Sequence, residues 1–199
     1  MQEYSYLTPV QANLLQQNTI DLDDEINRET INYVREVTIK LAINGLPPIN
    51  VLFHSSGGDI QYGFDVYDLI ANYQGLSTGI VVNFANSMAA IILQACQKRF
   101  CVEHGHILIH NPARKLAVWN DFFDRQQNKK TKKIMLADRE DFIKVLLRRT
   151  GRTRQQIIDT LNRGKSLTAT EALRFGLIDE IIDWQALQLE KQQSWEQRQ

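Results

Sequence analysis

An α/β fold with mainly parallel strand pairing is what this 199-residue sequence predicts, on three observations. Apolar runs of strand length alternate with longer runs whose apolar residues recur at helical spacing, the pattern of strand–helix–strand units. Gly and Pro clusters punctuate the joints. The length suits one domain with an ordinary core, and 43% apolar against 23% charged residues is the balance of a globular chain.

Residues 1–17 are polar and poorly periodic and read as an N-terminal arm. The stretch T-I-D-L-D at 19–23 alternates like a short strand. From Glu29 to Asn44, Ile31, Val34, Val37 and Leu41 recur at helical spacing, and Gly45-Leu46-Pro47-Pro48 stops that helix. A buried strand, I-N-V-L-F-H, runs into a Gly-Gly turn, and Ile60, Phe64, Tyr67 and Ala71 mark one face of the next helix. The unit repeats as strand T-G-I-V-V-N, turn, and helix S-M-A-A-I-I-L-Q-A-C, followed by the strands R-F-C-V and H-I-L-I-H. Neither Gly nor Pro occurs between Pro112 and Gly151. Met135, Phe142, Val145 and Leu146 give the second half of that stretch an amphipathic stripe, and the polar Q-Q-N-K-K predicts a break before it. Two shorter helices near 153–162 and 169–175 precede the strand G-L-I-D-E-I-I. The expected organisation is an arm at 1–17, one domain at 18–184 and a polar tail at 185–199.

Composition narrows the function classes. Lys+Arg and Asp+Glu are equal at 23 each, so no basic face for nucleic acid or an anionic membrane is expected. No apolar run approaches the roughly 18 residues of a membrane span. The N-terminus M-Q-E-Y-S-Y-L-T-P-V-Q lacks the basic and apolar regions of a secretory signal, and a cytoplasmic location is expected. Cys96 and Cys101 sit in apolar surroundings and read as buried free thiols; neither a metal nor a cofactor is expected.

The residues that carry chemistry lie at strand ends. Ser87 follows an apolar strand and opens an apolar helix, where its hydroxyl either caps the helix or projects as a nucleophile. A serine nucleophile needs a base and a place for negative charge to collect. His110 ends the strand H-I-L-I-H, with Ile107 and Ile109 on one side and His106, Leu108 and His110 on the other, so His106 is the rival base. Gly57-Gly58 is either a plain strand-to-helix turn or a site where main-chain N–H groups face a substrate without a Cβ in the way. His54 and His104 read as turn or surface histidines.

Five segments bring these together in order: H-S-S-G-G-D at 54–59, N-F-A-N-S-M-A-A at 83–90, H-I-L-I-H-N-P at 106–112, S-L-T-A-T-E-A at 166–172 and F-G-L-I-D-E-I-I at 175–182. In kind, order and spacing they resemble the ClpP family, the proteolytic subunit of ATP-dependent Clp proteases. The resemblance runs from about Leu14 to Ile182 and marks a divergent member. It implies a crotonase-like, ClpP-type spiral of β-β-α units with a long handle helix. It also implies a serine endopeptidase that cleaves peptides or unfolded proteins inside an oligomeric ring, a heptamer by family default, with a Clp-type ATPase as partner. By the match Ser87 is the nucleophile and His110 the base, while the N–H groups of Gly58 and Met88 hold the oxyanion. Asn83 and Ala89 stand where the family's nucleophile segment carries glycines, and Gly164 stands where it carries the catalytic aspartate. Asn162 and Asp159 are near enough in sequence to serve as third member, and Glu103 or Asp179 could approach from elsewhere. The segment 113–124 lacks the family's glycine-rich turn, and its Val118, Trp119, Phe122 and Phe123 suit either a subunit contact or the core. The vacant aspartate position supports a second reading, a catalytically impaired ClpR-like ring subunit assembling with active partners. An acyl-CoA enzyme is a third, since crotonases share the L-T-A-x-E-A…G-L-(I/V)-D-E ending.

Overall fold

The computed structural model describes residues 7–112 and 125–183, with 125–130 as backbone only. The first element is a helix, α1 (Pro9–Gln16), which the sequence reading did not mark. It buries no residue and so shows no apolar period; local chemistry makes it. The Thr8 side chain accepts from Gln11 N–H, the Gln11 side chain accepts from Thr8 N–H, and Pro9 opens the first turn.

The parallel β1 (Thr19–Leu22) and β2 (Ile49–Ser55) are joined by α2 (Arg28–Ile43). Asn27 caps α2, which buries the expected Ile31, Val34, Val37 and Leu41. The next helix, α3 (Ile60–Ala71), buries Gly63, Val66 and Ile70; Ile60, Phe64 and Tyr67 are half-buried and Ala71 is exposed. The buried face is thus displaced from the expected one, because α3 presents Gly63 to the Met88 side chain. A Cβ on Gly63 would lie 2.1 Å from Met88 Cγ, so glycine lets the two elements close up.

The ten-residue β3 (Ser77–Asn86) organises the rest. One edge pairs with β2. The other edge pairs first with β4 (Lys98–Val102) and further along with β5 (His106–Leu108), both parallel. Between β3 and β4 lies α4 (Met88–Leu93), whose six residues are all buried. The 26-residue α5 (Arg125–Thr150) is continuous through Q-Q-N-K-K, without the predicted break, and is about 39 Å long at 1.5 Å per residue. It buries Phe142, Val145 and Leu146 as expected. Then follow α6 (Arg154–Arg163), β6 (Ser166–Thr168), α7 (Ala169–Phe175) and β7 (Glu180–Ile182). The sequence reading had no strand at 166–168; β6 is made by antiparallel pairing with β5. The sheet order is β1-β2-β3-β4-β7, with β5 and β6 branching from β3. The fold is α/β with mainly parallel pairing, as predicted.

A buried guanidinium ties the far side of the sheet together. Arg99 donates to both carboxylate oxygens of Asp179, to Gln94 Oε1 at 2.6 Å and to Gly176 O at 2.9 Å. It thereby joins β4, the end of α4 and the turn before β7. Cys96 and Cys101 are buried free thiols, as expected, and burial pushes both up to about 12. Among the described residues no helix is long and apolar enough to cross a membrane. Val118, Trp119, Phe122 and Phe123 lie outside the described residues, as do the tail from 185 and the first six residues of the arm.

Candidate active site

The pairing of β3 with β5 puts Asn86 opposite Leu108, so Ser87 and His110 leave the C-terminal ends of two adjacent parallel strands. That is where open α/β sheets collect their functional groups. The chain turns sharply at Ser87, which adopts φ 55 and ψ −119, a conformation that L residues avoid. Its N–H donates to Leu108 O at 2.7 Å, fastening the turn to the end of β5. Its hydroxyl makes no capping hydrogen bond, so the helix-cap alternative does not describe this serine. Holding a serine in such a region costs about 1–3 kcal/mol, and strained strand-to-helix elbows of this kind are used to project a nucleophile from a sheet edge.

Gly57 lies directly against the elbow. A Cβ there would sit 2.6 Å from Asn86 O, 2.8 Å from Ser87 Cβ and 2.9 Å from Met88 N, and its φ of 89 is itself one that favours glycine. The turn is held by Ser55, wholly buried at the end of β2. Its hydroxyl donates to Asp24 O at 2.5 Å and accepts from Gly57 N–H at 3.2 Å. Ile26 N–H donates to Gly57 O and Asp59 N–H donates to Ile26 O, which makes a parallel bridge between Ile26 and Gly58. In such a bridge the N–H of Gly58 points away from Ile26. Neither it nor the N–H of Met88, in the first turn of α4, has a main-chain partner among the described residues. The structure thus brings Ser87, Gly57, Gly58 and Met88 together, the last two carrying free donors.

His110 is half-buried, with Ile107 and Ile109 buried on the opposite side of the strand, as the alternation predicted. Its Nδ1 lies 2.6 Å from the main-chain oxygen of Asn111. Among the described residues no hydrogen bond joins the ring to a carboxylate. Asn162 Oδ1 instead accepts from Asn111 Nδ2 at 2.9 Å and from Arg139 Nη2 at 3.1 Å. Asp159 accepts from Gln155 within α6. Asp179 is taken by Arg99, and Glu103 lies in the exposed turn between β4 and β5. Gly164 ends α6 in the left-handed conformation, and among the described residues a Cβ on it would meet only His110 Cβ, at 3.5 Å. His106 is exposed and pairs with Phe84 and Thr168 in the sheet, while His54 stacks edge-on against Phe84 with ring centroids 4.6 Å apart. Asn83, one of the two departures in the nucleophile segment, is exposed, 3.5 Å from the His54 ring; Ala89, the other, is buried.

Two residues near the site were not picked out from the sequence. Ser55 is adjacent to a second serine and carries no signal of its burial. Asn111 contributes a main-chain atom, which residue identity does not announce. An apolar cavity of about 300 Å³ opens beside Asn111, lined also by Pro112, Thr131, Lys132, Met135, Leu136 and Arg139. Among the described residues no group of His, Cys, Asp or Glu could hold a metal ion.

An elbow serine, a strand-end histidine and a glycine turn whose N–H groups lack a main-chain partner among the described residues are the kinds of group that a serine acyl-transfer site uses. The sequence model of the family described as Clp protease matches residues 2–185. The chain is also similar to the ATP-dependent Clp protease proteolytic subunit 1 of Protochlamydia amoebophila (strain UWE25), 30% identical over 138 residues that make up 68% of this chain and 66% of that protein, just under two thirds of its length. With nearly the whole chain matched and the segments carrying Ser87, His110 and Gly57-Gly58 inside the match, the chain belongs to the Clp protease family.

Proposed function

We propose that this chain is a serine endopeptidase of the ClpP type. Ser87 Oγ attacks the scissile carbonyl of a peptide or unfolded protein while His110 takes the hydroxyl proton. The N–H groups of Gly58 and Met88 receive the negative charge that develops on the carbonyl oxygen. His110 then returns the proton to the leaving amine, and a water activated by the same histidine releases the acyl group. The observation that carries this reading is the backbone of Ser87: a non-glycine residue at φ 55 and ψ −119, its hydroxyl uncommitted to capping, with Gly57 packed against it. The apolar cavity lined by the two residues after His110 suits an apolar substrate side chain, with the peptide extended along the sheet edge.

Residues 18–184 are taken as the peptidase domain, and family membership supports a ring assembly, the crotonase-like spiral as its fold, α5 as the handle and a Clp-type ATPase as partner. The exposed Val10, Ile39, Ile43 and Leu136 offer apolar surface for subunit or partner contacts. One observation favours the impaired, ClpR-like alternative: no carboxylate among the described residues meets His110, and Gly164 is the residue beside it. In trypsin-like peptidases, replacing the triad aspartate by asparagine costs roughly 10⁴ in kcat.

Reaction with a fluorophosphonate followed by mass mapping separates the two. The expected adduct is on Ser87 alone and disappears in Ser87→Ala. An unlabelled folded protein identifies the impaired subunit, and an adduct on Ser55 or Ser56 sinks the site assignment.

A further inference from the structure

We infer that the main-chain carbonyl of Asn111, clamped by the C-terminal end of α6, orients the His110 ring in the place of a side-chain carboxylate. This rests on the reading of Ser87 and His110 as nucleophile and base, and it makes Asn111 and Asn162 positioning residues.

A carbonyl oxygen only accepts, so the 2.6 Å contact puts the ring proton on Nδ1 and leaves the Nε2 lone pair as the base. That is the tautomer a triad aspartate enforces. A bond between a side chain and the next residue's carbonyl is lost as soon as that peptide plane turns, so the plane must be held. Three features anchor Asn111 and, through its restricted backbone, that plane. Pro112 follows Asn111, which restricts Asn111 to extended conformations and leaves the carbonyl in an amide that has no N–H. The Asn111 N–H donates to Leu161 O at 3.2 Å. The Asn111 side chain donates to Asn162 Oδ1 at 2.9 Å, and Arg139 fixes that same oxygen from α5 at 3.1 Å.

Gly164 has a part in this clamp. The last four carbonyls of a helix have no partner within it, and Leu161 O is one of those in α6. The left-handed Gly164 ends the helix there, with its N–H on Thr160 O at 3.1 Å, and leaves Leu161 O free to take Asn111. The glycine in the aspartate position thus terminates the helix whose end holds the substitute acceptor. A neutral carbonyl sets the tautomer but supplies less charge than a carboxylate to stabilise the imidazolium, so the clamp serves alignment more than electrostatics.

The test is solid-state 15N NMR of the full chain labelled at histidine, with the His110 signals assigned by their loss in His110→Gln. The wild type is expected to show the Nδ1–H tautomer at His110. Asn162→Ala should move it toward the Nε2–H form that free histidine prefers, with kcat for a peptide substrate falling about tenfold at unchanged KM. Asn162→Asp, which keeps an acceptor for Asn111 and Arg139, should restore both. A wild-type spectrum with Nε2–H at His110 overturns the inference, and so does an Asn162→Ala protein unchanged in tautomer and kcat. The wild-type spectrum decides even where the variant does not fold. It also reads independently of turnover, so absence of Ser87 labelling would sink the peptidase reading while the spectrum still reports on the Asn111 bond.

Discussion

Gly164 faces His110 directly: a Cβ built on the glycine lies 3.5 Å from His110 Cβ and meets no other heavy atom of the described residues within 4 Å. Its left-handed backbone, φ 56 and ψ 34, is one that Asp tolerates better than most residues. Gly164→Asp should therefore fold and deliver a carboxylate toward the histidine. Peptide hydrolysis is expected to rise about tenfold in kcat/KM, equivalent to about 1.4 kcal/mol of transition-state stabilisation. Gly164→Ala is the control for strain and should give no gain. A folded Gly164→Asp protein with unchanged kinetics would show that position 164 is not the vacant carboxylate position.

The glycine turn gives a second expectation. Gly57→Ala would drive a methyl to within 3 Å of Asn86 O, Ser87 Cβ and Met88 N, so the elbow and its donor must separate. Loss of one oxyanion donor costs roughly 10²–10³ in kcat, and hydrolysis should fall by at least that much. Gly45→Ala separates site geometry from backbone strain. Gly45 has nearly the same φ, 85 against 89, but a Cβ on it would have no atom of the described residues within 4 Å. It should lose about 1 kcal/mol of stability and keep full activity. Equal losses of activity in both variants would refute the role given to the turn.

Stability should depend on the Arg99–Asp179 pair in acid. Burial of the Asp179 carboxyl opposes ionisation, but the hydrogen bonds and charge of Arg99 outweigh it and hold the group below its ordinary value of 3.8. The folded state thus favours the carboxylate, and its contribution is fully present above pH 3.8 and lost as pH falls through the lower folded value. Thermal melts between pH 5 and pH 2.5 should show that limb flattened in Asp179→Asn. Arg99→Met, which strands Gln94 Oε1 and Gly176 O, should cost about 2 kcal/mol at neutral pH. Parallel acid limbs in wild type and Asp179→Asn would refute the assignment.

The alternation of apolar runs, the helix stops and the order of five short segments determined the α/β class, the elements from β1 to β7 apart from β6, and the residues expected at the site. These are local properties: the period of burial and the chemistry of turns are written along the chain. They failed where local evidence was thin or ambiguous, as at α1, which buries nothing, at the face of α3, which is set by Met88 meeting Gly63, and at β6, whose three residues become a strand only by pairing with β5. Tertiary structure alone decided what surrounds His110. Asn162 and Asp159 were near in sequence, but the turn of α6 directs one to Asn111 and Arg139 and the other to Gln155. The acceptor that reaches the ring is a main-chain oxygen, and every residue has one. Asn111 is next to His110 in sequence, but only the fold brings Leu161 O to its N–H, because main-chain hydrogen bonds between distant segments depend on where the backbone runs and not on the identity of the residue that carries the atom.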